Sequence, residues 1–338
     1  MKFIKHPITG RLTLNPLILV VLLSAIFTSP VKADSVQYHI VVAPDGKGDF
    51  TSIQSAIDNT KSFPDKRITI EIKPGVYQEK IIVPEWNPKV SLIGEDANTT
   101  RIVYGDYFDK INRGRNSTFF TATLQVNGND FHMENITVEN SAGSVGQALA
   151  LAVNADRATF YNSRFIGNQD TVYVSGEGKR QYFKNCYIEG TTDFIFGGAT
   201  AVFEQCQIHA KADSYITAAS TPAIIDYGLT FIDCDITAAK GVNKVYLGRP
   251  WRPFARVVFI NTKMDGAVPP EGWHNWNNPT AEKSSFFAEF GSRGAGAPKS
   301  GKRVEWSHQL SANQVSAYTP EKILRPNQES AWYKRSQK

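Results

Sequence analysis

Phe160-Tyr161-Asn162-Ser163-Arg164-Phe165, followed by Asp170, and Phe183-Lys184-Asn185-Cys186-Tyr187-Ile188, followed by Asp193, decide how this chain is read. Each aspartate lies ten residues after the first phenylalanine of its phrase. If each phrase is one strand of a stacked array, equal offsets bring the carboxylates to about 4.8 Å strand spacing. Two carboxylates that close do not both ionise easily, so one becomes an acid and the other a nucleophile or base.

The phrase recurs. An aromatic with an apolar residue five positions on appears as Phe131 with Ile136, Phe160 with Phe165 and Phe183 with Ile188. It continues as Phe203 with Ile208, Phe231 with Ile236 and Phe259 with Met264, at intervals of 29, 23, 20, 28 and 28 residues. Short β-rich segments at such spacing, joined by polar links, predict a solenoid. The irregular period predicts an all-β, single-stranded parallel β-helix whose coils carry insertions. A helix opening at the Thr51-Ser52-Ile53-Gln54 capping box is expected to cover the first coil. Another, started by Thr319-Pro320-Glu321, lies near the far end. The tail from Pro326 to Lys338 is polar and expected to be loosely ordered.

Residues 1–33 read as a secretory signal peptide: Lys2, Lys5 and Arg11, an apolar run from Leu17 to Phe27, then Val31-Lys32-Ala33 with cleavage after Ala33. The run is shorter than the roughly 20 residues of a membrane span. Residues 34–338 form the one expected domain, outside the cytoplasm, secreted or, in a bacterium, periplasmic. The formal net charge of +5 comes mostly from the leader. Without its four basic residues, 33 basic side chains face 32 acidic ones, which excludes a polyanion-binding field and a nucleic-acid partner.

Cys186, Cys206 and Cys234 each follow their strand phenylalanine by three residues and so should line up in successive coils. An oxidising compartment permits a Cys186–Cys206 disulfide; the alternative is a ladder of buried free thiols. No Cys-x-x-Cys or paired-histidine spacing points to a metal, and no Gly-x-Ser-x-Gly elbow to a serine esterase.

Six phrases in order resemble the pectin methylesterase (pectinesterase) family. They are Asp45-Gly46-Lys47-Gly48-Asp49-Phe50, Ile72-Lys73-Pro74-Gly75-Val76-Tyr77-Gln78-Glu79, Gly167-Asn168-Gln169-Asp170-Thr171-Val172-Tyr173, Gly190-Thr191-Thr192-Asp193-Phe194-Ile195-Phe196-Gly197, Leu247-Gly248-Arg249-Pro250-Trp251 and Gly272-Trp273-His274-Asn275-Trp276. The resemblance implies a right-handed parallel β-helix, hydrolysis of galacturonate methyl esters in homogalacturonan, and no cofactor or metal. It implies Asp193 as nucleophile, Asp170 as general acid and then base, and Gln147 and Gln169 as oxyanion donors. Arg249 would pair with Asp193, and Thr118, Tyr173, Phe196 and Trp251 would hold substrate alongside Gln147 and Arg249. A monomer is expected, with no membrane partner once the leader is removed.

The chemistry is consistent with those roles. Methoxide is a poor leaving group and needs a proton donor, and a cation beside Asp193 leaves the proton on Asp170. Thr192 and Asn168 depart from the family pattern, where Val and an aromatic are usual. Asp213, also ten residues after its phenylalanine Phe203, is expected to be an exposed turn residue. Asn98, Asn116 and Asn135 open glycosylation sequons. Two other readings share the fold: a β-helix depolymerase (lyase or glycosidase) and a non-catalytic carbohydrate-binding solenoid.

Overall fold

In the repeated phrase, a residue with positive φ separates two strands. Asn135, Asn162, Asn185, Asp233 and Asn261 occupy this corner with φ of 58°, 49°, 53°, 52° and 50°. Asn and Asp tolerate the left-handed region better than other side chains with a Cβ, so a polar residue here turns the chain at low cost. The computed structural model describes residues 36–298, 302–325 and 327–334. The expected signal peptide, residues 1–33, lies outside them.

The turning chain builds three parallel sheets of 11, 8 and 7 strands, named first, second and third in the order each coil enters them. This is a right-handed parallel β-helix, as expected. In the first sheet Phe160, Phe183, Phe203, Phe231 and Phe259 are in register. Their rings stack face to face at 4.6, 4.6, 4.7 and 4.4 Å. All five are fully buried and form the spine of the core.

One repeat sits elsewhere than its aromatic suggested. Phe160 pairs with Met133, and Phe165 with Val138, so neither Phe131 nor Ile136 occupies the in-register position. Register follows the corner: Asn135 lies two residues after Met133 as Asn162 does after Phe160.

The cysteines form the free-thiol ladder, and the expected Cys186–Cys206 disulfide is absent. The Sγ atoms of Cys186, Cys206 and Cys234 donate to the carbonyls of Phe160, Phe183 and Phe203. In-register parallel strands hold such side chains about 4.8 Å apart and pointing the same way, whereas a disulfide needs convergent Cβ atoms about 3.8 Å apart. Burial pushes the Cys206 thiol well up, which keeps it protonated.

The first helix, Ile53–Asp58, buries Ile53, Ala56 and Ile57, but its N-cap is Ser52, not Thr51. Glu79 replaces the expected reciprocal glutamine, accepting from Ile53 N, Gln54 N and Ser52 Oγ. Thr319 caps Pro320–Leu324 as expected. Of the tail, residues 327–334 are packed against the stack and not loosely ordered. Tyr333 is buried with Tyr161, Tyr182, Ile323 and Leu324 on the outside of the first sheet. Arg180 clamps it, donating to Asp156, to the Leu324 carbonyl and to Glu329 while lying over Trp332.

Candidate active site

Asp170 and Asp193 stand at the entrance to the third sheet, each in the left-handed region with φ of 65° and 50°. Val172 pairs with Ile195, so the two aspartates are one ladder step apart, as their equal offsets predicted. The backbone locks the corner: Asp170 N donates to Thr192 O at 3.0 Å and Asp193 N to Tyr215 O at 2.8 Å. Both side chains are nearly buried, at 8% and 6% exposure.

Arg249 reaches Asp193 from two coils further on, along the row Phe196, Ala218, Arg249. The small Ala218 leaves space above Phe196 for the guanidinium to cross. Nε and one terminal nitrogen grip the two carboxylate oxygens at 2.9 and 2.6 Å, a fork matched to a carboxylate. The guanidinium is sandwiched 4.0 Å from the Tyr215 ring centre and 3.6 Å from that of Trp276. Such stacking fixes its plane.

Burial raises the Asp193 pKa, and Arg249 pulls it back by hydrogen bonding and charge. Desolvation outweighs the ion pair, so the net shift is upward although Arg249 lowers it, as its charge requires. Asp170 rises much further: burial pushes it up, the Asp193 charge adds to that, and Arg249 opposes only at a distance. Asp170 has no side-chain hydrogen bond among the described residues. Of the pair, it is the one that keeps a proton.

Gln147 and Gln169 are bridged to each other on adjacent coils, just before Asp170. Neither carboxamide has a hydrogen-bond partner among the described residues, leaving both donors open. Tyr173 stacks on Phe196 at 4.7 Å, Phe196 meets Trp251 edge-on at 5.7 Å, and Phe119 leans on Tyr173 at 5.0 Å. These rings make one aromatic wall with Trp276. Thr118 is buried one residue before Phe119, in the 3-10 helix Gly114–Phe120.

Thr192 shares a 2.8 Å hydroxyl contact with Ser214, and Asn168 accepts from Ser144 at 3.3 Å. The two departures from the family pattern therefore replace apolar edges by polar pairs. Asp213 does not join the stack. Tyr215 takes the position in register with Asp193, and Asp213 is an exposed turn acceptor for Asn243 N and Lys244 N. Phe119, Tyr215 and Trp276 were missed as site residues. Trp276 lies inside a quoted phrase and Phe119 directly follows Thr118, whereas Tyr215 is hidden by an insertion. His274 accepts from Trp276 N, and burial, Arg249 and Lys244 all lower its pKa, so it is neutral.

The profile of one protein family, described as Pectinesterase, matches residues 39–327. The chain belongs to the pectinesterase family. It is accordingly a carboxylic ester hydrolase. Pectinesterase 31 of Arabidopsis thaliana is 41% identical over 300 residues, covering 86% of this chain and 93% of the relative. The pectin methylesterase from carrot superposes with a TM-score of 0.79 at 30% identity, covering 87% of this chain and 95% of that one. A pectin methylesterase in complex with a hexasaccharide gives a TM-score of 0.73 at 29% identity, covering 86% and 98%. No helix of the described residues is long and apolar enough to cross a membrane.

Proposed function

We propose that this protein hydrolyses methyl esters of galacturonate in pectin, releasing methanol and leaving pectate. Asp193 attacks the ester carbonyl, and the tetrahedral oxyanion takes hydrogen bonds from the Gln147 and Gln169 carboxamides. Asp170 gives its proton to the departing methoxide, so methanol leaves and an Asp193–galacturonyl anhydride remains. Asp170, now ionised, takes a proton from water as that water attacks the anhydride. The new galacturonic acid departs and loses its remaining proton to water, Asp193 is regenerated as a carboxylate and Asp170 is protonated again. Trp251, Tyr173 and Phe196 give the sugar chain an apolar face, and Thr118 supports the wall.

One observation carries this reading. The Arg249 fork holds Asp193 in a single orientation one ladder step from a buried, unpaired Asp170. That arrangement separates a nucleophile from an acid. The hexasaccharide bound by a relative supports an oligosaccharide ligand, and the expected leader supports action outside the cytoplasm.

The test is methanol release from highly methylated pectin, followed alongside reducing ends and unsaturated products. Methanol alone is expected; new chain ends would mean a depolymerase. Asp193→Asn should fold and lose at least tenfold in rate, about 1.4 kcal/mol or more. A smaller loss would move the nucleophile elsewhere.

A further inference from the structure

The outward row of the third sheet that carries Arg249 runs through Ala218, Phe196, Tyr173, Ala152 and Gln125 to Ile82. Ile82 is three ladder steps from Tyr173, about 14 Å at ~4.8 Å a step. Beside it is a pocket of about 310 Å³, lined by Trp86, Lys179, Asn127, Asn129, Asn154 and Glu85. Its volume suits a small ligand, and the roles above leave it unused.

Trp86 is 49% exposed, yet its loop is fixed. Asn87 N donates to Pro84 O, Phe63 N to Trp86 O, and Asn87 Nδ2 to Thr60 Oγ1. Gly128 packs so close beneath that a Cβ there would lie 2.4 Å from Asn87 O. A rigid exposed indole offers a flat apolar face with little ordering cost on binding. Lys179 is half-buried and has no ion-pair partner among the described residues. The Asn154 carboxamide is unengaged, and Asn127 accepts from Gln125, which leaves its own amino group free. Glu85, exposed at the rim, is the one opposing charge in the lining.

We propose that this pocket is a second, non-catalytic subsite for a galacturonate unit with a free carboxylate. The sugar face lies on Trp86, the carboxylate on Lys179, and hydroxyls on the Asn127 and Asn154 amides. This rests on the pectin reading, because the free carboxylate is that reaction's product. A chain laid along the row places de-esterified units here while the aspartate pair works on neighbouring esters.

The intact protein would be titrated calorimetrically with a fully de-esterified galacturonate decamer and with its carboxyl-reduced, neutral counterpart. Lys179→Met should weaken the acidic decamer about tenfold, and Glu85→Gln should tighten it severalfold, neither changing the neutral one. Trp86→Ala should weaken both about tenfold. Wild-type affinity of Lys179→Met for the acidic decamer, or of Trp86→Ala for both, overturns the subsite. Methanol release from a methyl-esterified dimer, too short to join the two places, should be unchanged in all three variants. A slowed dimer reaction would put Lys179 in the chemistry and overturn it as well. Absence of methanol release from the wild type would instead overturn the esterase reading, leaving the decamer titrations to report on the pocket alone.

Discussion

Removing Arg249 is the sharpest test of how the carboxylate pair is set. The side chains of Arg249 and Asp193 are little exposed, and their closest atoms are 2.6 Å apart. With charge centres about 4 Å apart and an effective dielectric near 20, the attraction is about 4 kcal/mol. Arg249→Ala forfeits it together with the fork, so kcat/KM should fall about a thousandfold at 1.36 kcal/mol per decade. Arg249→Lys keeps the charge and loses the plane, and should cost roughly ten- to a hundredfold. The sign of the pH effect follows from the opposing causes at Asp193. Burial raises its pKa and Arg249 lowers it, so the alanine variant keeps only the raising influence. The acidic limb of its kcat/KM profile should move to higher pH, because Asp193 must be ionised to attack. The assay is methanol release from a methyl-esterified oligogalacturonide across pH, for wild type and both variants. A large rate loss with an unmoved acidic limb would refute the argument and assign Arg249 to a substrate carboxylate.

Asp170 has a folded pKa raised by burial, so its contribution to stability is full below its unfolded pKa and is lost as pH rises through the folded value. Asp170→Asn should therefore abolish methanol release yet match or exceed the wild-type Tm at neutral pH; a lower neutral Tm would contradict the assigned burial. Phe203→Ala, at the middle of the ring stack, should cost about 3–5 kcal/mol in denaturant unfolding, since both neighbouring rings lose a face. Thiol titration should find three reactive groups in unfolded, unreduced protein and almost none in the native state; fewer than three on unfolding would restore the disulfide.

Much of this was legible because one residue type marks one position. Five phenylalanines announce the first sheet, and two equal offsets put Asp170 and Asp193 side by side before any geometry was available. One failure came from using identity where register was needed. Phe131 matched by type, but the left-handed corner at Asn135 sets the alignment and selects Met133. A two-residue insertion after Ala210 leaves Asp213 in an exposed turn, as expected, and brings the unforeseen Tyr215 under Arg249. Trp276 sits on a loop after the last third-sheet strand, where no period can place it. The disulfide failed differently, since equal spacing fixes how near two thiols lie but not where they point. Glu79 caps a helix from 26 residues away, beyond any local signal.

The Arg180 clamp changes how this array should come apart. A stack whose coils touch only their neighbours behaves as a one-dimensional chain that can fray from either end. Arg180 is bound to Glu329 across 149 residues, and the Tyr161 hydroxyl to the Tyr333 carbonyl across 172. These late residues fasten a mid-stack coil, so fraying of the final coils must also break contacts made half a chain earlier. These contacts thus convert a stepwise melting stack into a unit that unfolds together. Without them the catalytic corner would keep its own coil-to-coil hydrogen bonds and lose that cooperativity.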